Sequence, residues 1–307
     1  KSNENIEMVI PILYACYSKK KGTISIDEEN LFVLDKNKKS LQIHALPGQK
    51  EAPVISIFRG FSSPVIWESD LSLDDYLLLF LNDNDYFSRW ESGQFLMREI
   101  IKLRLCNKAN YLLEDSLINA IKQSIKSLGT HDPSFLSTLI TIPGLAELES
   151  LFENVDPINI YKESLNFQVL IGNKALQELK KLSKNLLLNI NHEWPMGKGK
   201  RKLLGTIWSY LTLAGDKNVQ KICVDSISHS SMTIARAALV ALKPLDSSET
   251  EEASNLFYNL WNENPVVLDS WFAYEASRPN KGGIDVIEKL LSHSKFDWKA
   301  PNAIRAV

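Results

Sequence analysis

The amino-acid sequence predicts a mainly α protein with a small β part at its amino end. We expect a short antiparallel β-sandwich followed by a superhelical array of antiparallel helix pairs. Up to about residue 68, short apolar runs alternate with polar turns, which indicates strands. After Trp67 the apolar residues recur at helical spacing, between closely placed helix start and stop signals. The predicted domains are therefore residues 1–68 and 69–307.

The β part is predicted from five short segments. Pro11 interrupts the first one and indicates an edge position or a bulge. Polar turns are predicted at 19–22 and 35–38. So few strands leave an edge or a face that another domain should cover. The predicted strands are residues 8–14, 31–34, 41–44, 54–58 and 65–67.

The helical part is predicted from its capping signals. Capping boxes begin at Ser72 and Ser248. Three further starts place a capping side chain before a proline, at Asp132, Asp156 and Asn264. Gly129 and Gly215 predict helix ends. About a dozen helices result, with no fixed repeat length. Three apolar faces are predicted to be buried: Leu117, Ile118, Ile121, Ile125 and Leu128; Leu176, Leu179, Leu182 and Leu186; Leu256, Leu260 and Trp261.

The composition argues against two classes of binding partner and indicates the redox state of the cysteines. The net charge is −2 and the pI is near 6.3, so we expect no nucleic-acid and no membrane partner. The three cysteines, Cys16, Cys106 and Cys223, are far apart and resemble neither a disulfide framework nor a zinc pattern. They are predicted to be reduced, buried thiols of an intracellular protein, in the bacterial cytoplasm. No apolar run approaches the roughly 20 residues of a membrane helix.

The sequence contains no motif that predicts a catalytic residue, a metal ligand or a cofactor site in this chain. None of the five histidines belongs to an H-E-x-x-H motif, and they are interpreted as surface or capping residues. The segment 197–202 lacks P-loop spacing and is predicted to be a solvated basic loop that enters a helix at Leu203; an anionic partner patch is the alternative. Gly282–Gly283 is predicted to be a turn between helices.

Aromatic residues on the second predicted helix could in principle stack on nucleic-acid bases. Their helical spacing favours packing in the core. Gly93 on the same helix is predicted to permit close approach of a neighbouring helix. The aromatic residues are Tyr86, Phe87, Trp90 and Phe95.

Both ends of the chain are expected to continue into a longer protein. The last segment, from Pro301 to Val307, is helical in character but ends within two turns, and such a short helix is unstable alone. At the other end, Lys1 to Glu7 runs directly into a predicted strand.

Several motifs in order resemble the bacterial aminopeptidase N family, zinc metallopeptidases of the gluzincin type. The segment 53–65, P-V-I-S-I-F-R-G-F-S-S-P-V, is similar to the family's R-x-F-S-x-P-V segment. The segment 85–94, D-Y-F-S-R-W-E-S-G-Q, resembles its D-x-F-x-R-W-x-x-x-Q helix. Further matches are T-I-P at 141–143, V-D-P-I at 155–158, L-D-S-W-F at 268–272, and Phe296 leading to Pro301, Asn302 and Arg305.

This resemblance implies an Ig-like sandwich and an ARM/HEAT-like helical domain, the third and much of the fourth domain of a four-domain enzyme. The zinc ligands, the general base and the amino-end recognition segment of the family lie in other domains, so the chain alone is expected to hold no cofactor and to be inactive. Zinc then belongs to the parent enzyme. The implied partners are the amino-terminal and catalytic domains of the same chain, together with peptide substrates. The family's helical domain forms a curved wall over the cleft.

Arg305 is the one candidate for contact with substrate. It matches the arginine of the family's P-N-x-x-R segment, and its cation would attract a peptide carboxylate. A structural ion pair or an exposed charge is the alternative. Two other functions stay open: a free-standing helical scaffold that binds a protein on its concave face, and nucleic-acid binding through Lys198 to Lys202.

Overall fold

The computed structural model describes residues 8–20, 23–26, 28–36, 40–43, 52–154, 156–188, 196–279 and 283–307. Within these ranges four β-strands come first and fourteen α-helices follow. The prediction of a mainly α chain with a small antiparallel β part is confirmed. None of the described helices combines the length and the apolar character that a membrane crossing requires.

The chain divides into two compact units. Unit 1 consists of Lys1–Ser124 and Thr138–Glu163, and unit 2 consists of Ile125–Ser137 and Ser164–Val307. The sheet therefore belongs to unit 1, and the chain passes into unit 2 at residue 125, returns to unit 1 at residue 138 and enters unit 2 again at residue 164. The domain bounds 1–68 and 69–307 stay a prediction.

One long strand organises the sheet of unit 1. β1 (Ile10–Lys20) pairs antiparallel with β2 (Thr23–Ile26), β3 (Asn30–Leu34) and β4 (Val54–Ile57). Pro11 lies inside β1 opposite Val33 and does not interrupt the strand. Because all three partners pair with β1, this strand connects the whole described sheet.

Two predicted strands are wrong. Val65–Trp67 is irregular, because the Val65 N–H donates to the Ser63 carbonyl and the backbone turns at Pro64. Residues 41–43 are also irregular, and Leu41 is exposed, so its alternating pattern does not reflect burial. His44, the last residue of that predicted strand, lies outside the described residues.

The first hairpin differs from the prediction as well. Met8 and Val9 precede β1, and Lys19 and Lys20, predicted to be in a turn, extend it. β2 was not predicted, although T-I-S-I at 23–26 alternates with the period of a strand. Its pairing with the end of β1 explains the greater length of β1.

The helices begin and end at the following residues: α1 Leu73–Asn82, α2 Tyr86–Leu105, α3 Tyr111–Leu128, α4 Pro133–Leu139, α5 Leu145–Glu149, α6 Pro157–Lys174, α7 Leu176–Leu188, α8 Lys198–Leu213, α9 Lys217–Ser226, α10 Met232–Leu242, α11 Ser248–Trp261, α12 Pro265–Ala276, α13 Ile284–Leu291 and α14 Pro301–Ala306.

Most predicted helix termini are confirmed. Ser72 Oγ accepts from the Asp75 N–H at 3.2 Å, and the Asp75 carboxylate accepts from the Ser72 N–H at 3.0 Å, which completes a capping box. The side chains of Asp132, Asp156 and Asn264 each accept a backbone N–H from the first turn of their helix. The helices α3 and α8 end just before Gly129 and Gly215, as predicted.

Three helix predictions are corrected. The cap of α11 is Ser247, whose Oγ accepts from the Thr250 N–H, so the predicted box at Ser248 lies one residue late. The buried face of α11 contains Ala253 and Phe257, whereas Leu260 is 49% exposed. α8 begins at Lys198, so the basic residues form its first turns and no loop enters the helix at Leu203.

The aromatic residues of α2 are also less buried than predicted. Tyr86 is 56% exposed, and Phe87, Trp90 and Phe95 are only half-buried. The buried face of α2 instead contains Leu96, Met97, Ile100 and Ile101. A large aromatic ring at helical spacing is therefore not enough to identify the core-facing side.

The core of unit 1 joins the sheet to α1. Tyr17 and Val54 of the sheet pack against Leu78 and Leu79 of α1. The adjacent helix α2 approaches α1 closely at Gly93, where a Cβ would lie 2.7 Å from the ring of Phe80. The prediction that Gly93 permits a close approach is confirmed, and a larger residue there would displace the ring.

Unit 2 consists of stacked helices. α8 packs against α7, α9 and α10, and α10 also packs against α9 and α11. Further along the chain, α12 contacts α11, α13 and α14. Each helix thus meets its neighbours in sequence and, in part, the helix two positions away, which is the arrangement of stacked helical repeats.

Two features hold α8 and α10 together. Gly205 leaves no side chain between the helices, so that a Cβ there would lie 2.8 Å from the Cβ of Ala237. The buried Thr212 hydroxyl donates to the Ala241 carbonyl at 2.7 Å.

Candidate functional site

Arg305 lies in α14, the short helix at the end of the described chain. Pro301 opens this helix, and its fixed φ suits the first helical position. Ala303 is buried, whereas Arg305 is exposed. Two residues along an α-helix turn by about 200°, so burial of Ala303 directs Arg305 away from the core.

An aromatic cluster positions α14. Ala303 packs with Leu268 and Phe272 of α12, Leu290 of α13 and Phe296. The rings of Phe272 and Phe296 meet edge to face, with their centroids 5.3 Å apart. Because α14 has six residues, this packing and not helix propensity keeps it in place.

His293 shapes the connection between α13 and α14. Its Nδ1 accepts from the Lys295 N–H at 3.1 Å, and its Nε2 lies 3.2 Å from the Tyr258 hydroxyl. His229 makes a similar local bond, with Nδ1 accepting from the Ser231 N–H at 2.9 Å. In both cases the ring nitrogen accepts the backbone N–H two residues further on, and that N–H belongs to a residue outside the helices. The interpretation of the histidines as surface or capping residues stays a prediction.

Arg305 has no hydrogen-bond or ion-pair partner among the described residues. Its guanidinium presents a fork of N–H donors that matches a carboxylate. A position in the last turn of α14 suits a cation, because the helix carbonyls there carry partial negative charge. The arrangement is able to bind an anion, and the substrate role of Arg305 stays a prediction.

The described residues contain no group of three or more histidine, cysteine, aspartate or glutamate side chains that would hold a metal ion. His44 and His192 lie outside the described residues. The described residues therefore do not fit a zinc site, and we assign none of them a role in zinc chemistry.

Arg59 forms a buried ionic cluster in unit 1 that the sequence did not reveal. It follows β4 and is 4% exposed. Its Nη1 donates to Asp83 Oδ1 at 2.7 Å and to Ser56 Oγ at 3.2 Å. Its Nε donates to Glu29 Oε2 at 2.8 Å, and its Nη2 donates to Asn84 Oδ1. One guanidinium thus connects the sheet to the turn between α1 and α2.

The Asp83 carboxylate collects further donors in this cluster. The Tyr17 hydroxyl donates to Oδ1 at 3.0 Å, and the Asp85 N–H donates to the same atom at 2.9 Å. The Asn84 N–H donates to the Tyr17 oxygen at 3.1 Å, and the Gly60 N–H donates to the Asp85 carboxylate. Side chains from β1 and from the α1–α2 turn therefore share one network.

The electrostatics of the cluster follow from its burial. Burial raises the pKa of Tyr17 to about 12, and the charge of Asp83 adds to this effect. For Arg59, burial alone would lower the pKa, but the hydrogen bond to Glu29 and the charge of Asp83 raise it overall. The hydrogen bonds of Arg59 to Asp83 and Ser56 orient the α1–α2 turn against the sheet.

The backbone around Arg59 has an unusual conformation. Phe58 and Phe61, on either side of Arg59, have φ values of 57° and 56°, a left-handed conformation that bulky residues rarely adopt. In the sequence, Arg59 is part of the segment that resembles the R-x-F-S-x-P-V motif, but nothing in that segment identifies its buried partner Asp83.

The order of the elements defines a class of protein: an Ig-like β module followed by ARM-type stacked helices. The chain belongs to the DUF3458 family. Residues 1–70 match the family described as Domain of unknown function (DUF3458) Ig-like fold. Residues 73–307 match Domain of unknown function (DUF3458_C) ARM repeats.

Relatives in bacteria are aminopeptidases. The chain is 26% identical to aminopeptidase N of Caulobacter vibrioides over 93% of its own length and 33% of that protein. It is 25% identical to aminopeptidase N of Escherichia coli over 83% of its length and 30% of that protein. The chain therefore spans about a third of the length of these curated relatives.

A solved structure has the same fold. The crystal structure of Legionella pneumophila aminopeptidase A in complex with aspartic acid matches 97% of this chain with a TM-score of 0.78. The identity is 22%, and the match covers 36% of that chain. The expected resemblance to aminopeptidase N is confirmed, together with the Ig-like and ARM-repeat fold.

Proposed function

We propose that this chain is the non-catalytic carboxyl-terminal part of a zinc aminopeptidase that removes N-terminal residues from peptides. One observation carries the proposal: a single continuous match joins 93% of the chain to a third of an aminopeptidase N. The other domains of that polypeptide would hold zinc and the catalytic groups. The chain by itself would be inactive.

The helical part would act by enclosing the cleft. A wall of stacked helices limits the access of water and constrains the peptide, so it acts on positioning and on substrate size. We also propose that the parent works in the bacterial cytoplasm. The three cysteines form no disulfide, and reduced thiols fit that compartment. Cys16 and Cys223 are buried, as expected, whereas the prediction of burial is wrong for Cys106, which is exposed.

The test compares the natural polypeptide with this chain. The reading frame upstream of Lys1 is expected to encode an H-E-x-x-H motif followed by a further glutamate. The full-length polypeptide should hydrolyse aminoacyl-arylamides, lose this activity with a chelator and regain it with zinc, whereas residues 1–307 alone should not. A start codon near Lys1 would instead favour the free-standing scaffold.

A substitution of Arg305 tests whether this residue contacts the peptide substrate. In the full-length polypeptide, Arg305→Gln is expected to raise KM for peptides about tenfold, because one charge-assisted hydrogen bond of about 1.5 kcal/mol is lost. KM for aminoacyl-arylamides, which lack a terminal carboxylate, should not change. Steady-state kinetics with both substrates measures the difference.

Two controls accompany this variant. Arg305→Lys keeps the charge and should recover part of the loss. Lys299→Gln removes a nearby exposed cation and should leave both KM values unchanged. If Arg305→Gln changed KM equally for both substrates, or for neither, Arg305 would have no role in binding the carboxylate.

A further inference from the structure

We propose that unit 2 carries an oxyanion-binding groove along α10 that accepts an acidic peptide segment. The groove consists of two adjoining cavities that share Arg236 and Val240, and we call it the α10 groove. This inference goes beyond the proposed function, because no step of it requires peptide hydrolysis.

The first cavity of the α10 groove lies between α8 and α10. Its volume is about 470 Å³, enough for several residues of an extended chain. The close contact of Gly205 with Ala237 forms its floor. Cations and hydroxyl groups line it, namely Arg201, Lys202, Thr206, Ser209, Thr233 and Arg236.

The second cavity lies between α10 and α12 and has a volume of about 200 Å³. Lys243 lines it and donates to the Ser277 hydroxyl at 2.6 Å. Tyr274 lines it as well; this residue is 5% exposed, and its hydroxyl has no hydrogen-bond partner within the described ranges. A phenol and an ammonium group are both donors for an anion.

Arg236 and Lys243 have no acidic neighbour among the residues that line the groove. Neither Arg236 nor Lys243 pairs with a carboxylate of the described residues. Four other arginines do contact carboxylates within the protein: Arg59, Arg98, Arg104 and Arg278.

Lys243 is the more informative of the two cations, because it is partly buried and has no carboxylate partner among the described residues. Lys243 is half-buried, so its ammonium is partly removed from water, and this burial lowers the pKa of the amine. A carboxylate placed beside it would offset this desolvation, since charge-assisted hydrogen bonds strengthen where water is excluded. The cavities thus provide both the space and the charge for an anion.

The spacing of the cations favours an extended ligand. Arg236 and Lys243 are seven residues apart, which corresponds to about 10.5 Å along a helix. An extended peptide advances about 3.4 Å per residue and presents alternate side chains on one face. Carboxylates two or four residues apart, on flexible glutamate side chains, therefore match this separation approximately. A single phosphate would occupy one cavity only, and it would therefore bind more weakly than an acidic peptide.

The test measures binding of a fluorescent tetra-glutamate peptide that is acetylated at its amino end. The full-length natural polypeptide is used, and fluorescence anisotropy is recorded at 0.05 M and at roughly 0.15 M salt. We expect saturable binding, weakened about tenfold by Arg236→Gln and by Lys243→Gln. Arg236→Lys should recover part of the loss, because the charge remains.

Lys221→Gln on α9 is the matched control, since it removes an exposed cation that lines neither cavity. It should change the dissociation constant less than twofold. Inorganic phosphate should displace the peptide only at much higher concentration. Circular dichroism confirms that each variant is folded, which the exposed positions of Arg236 and Lys221 favour.

Three results would overturn the inference: no saturable binding, equal losses in Lys221→Gln and Arg236→Gln, or displacement by phosphate at the same concentration as by unlabelled peptide. The last result would identify a simple phosphate site. Because the acetylated peptide has no free amino end, failure of the aminopeptidase proposal would leave this measurement unaffected.

Discussion

Replacing Arg59 with methionine is expected to lower the free energy of unfolding by about 3–5 kcal/mol. The Asp83 side chain is fully buried in its ion pair with Arg59. Removing one member of a buried pair leaves the other charge without compensation. Asp83 would keep only the donors from Tyr17 and from the Asp85 backbone, which do not neutralise its charge.

The backbone around Arg59 adds to this effect. Phe58 and Phe61 hold left-handed conformations that cost on the order of 1 kcal/mol each, and such conformations persist only where the surroundings impose them. Arg59 lies between the two residues and is held at all three of its guanidinium nitrogens. Without these bonds the turn is free to relax, and the sheet would separate from α1.

Urea denaturation followed by tryptophan fluorescence measures this loss, because Trp67 packs against Phe58 with ring centroids 5.8 Å apart. Arg305→Met is the matched control; it removes an exposed arginine and should cost less than about 0.5 kcal/mol. The double variant Arg59→Met, Asp83→Leu should recover much of the loss, because no buried charge remains. A loss below about 1 kcal/mol in Arg59→Met would mean that water reaches the cluster.

The contrast between Arg59 and Ser72 shows which features were predictable from the sequence. The capping box of Ser72 joins residues three positions apart, so its pattern is complete within a short window of sequence. Tyr17 and Asp83 are 66 positions apart, and no local pattern relates them. Helix starts were therefore predicted well, whereas the buried ionic cluster was not.

The strands were harder to predict for a related reason. A strand depends on a partner that supplies its hydrogen bonds, and a short apolar run does not identify that partner. Residues 65–67 have the composition of a strand but follow a turn at Pro64 and stay unpaired. β2 is polar enough to be overlooked, yet the end of β1 pairs with it.

The α10 groove was predictable only in part, because one side of it is a run of neighbouring residues and the other comes from a distant helix. The sequence shows the basic run at 198–202, but it was predicted to be a solvated loop. In the structure this run begins α8, and Arg201 is 2% exposed with Nη1 donating to the Met196 carbonyl at 2.6 Å. Arg236 comes from a helix more than thirty residues later, and only the packing of α8 on α10 places the two arginines around one cavity.

Phe272→Ala is expected to have the second large effect, a loss of about 3–5 kcal/mol, because it empties the centre of the cluster that holds α14. Phe272 is fully buried and meets the rings of Phe296 and His293 edge to face, with centroids 5.3 and 5.4 Å away. With this ring removed, a six-residue helix has too little packing to stay formed. The backbone bond from the Ile304 N–H to the Ala300 carbonyl should then exchange rapidly with solvent.

Hydrogen exchange of α14 separates this local effect from a general loss of stability. Phe167→Ala is the matched control, since Phe167 is equally buried in unit 2 but belongs to α6. Both variants should lower the thermal midpoint, whereas only Phe272→Ala should accelerate exchange in α14 far beyond the rest of unit 2. Equal acceleration in the two variants would mean that α14 unfolds only with the whole unit. The position of Arg305 would then depend on the folding of unit 2 as a whole. Its proposed contact with a peptide carboxylate would not depend specifically on the aromatic cluster.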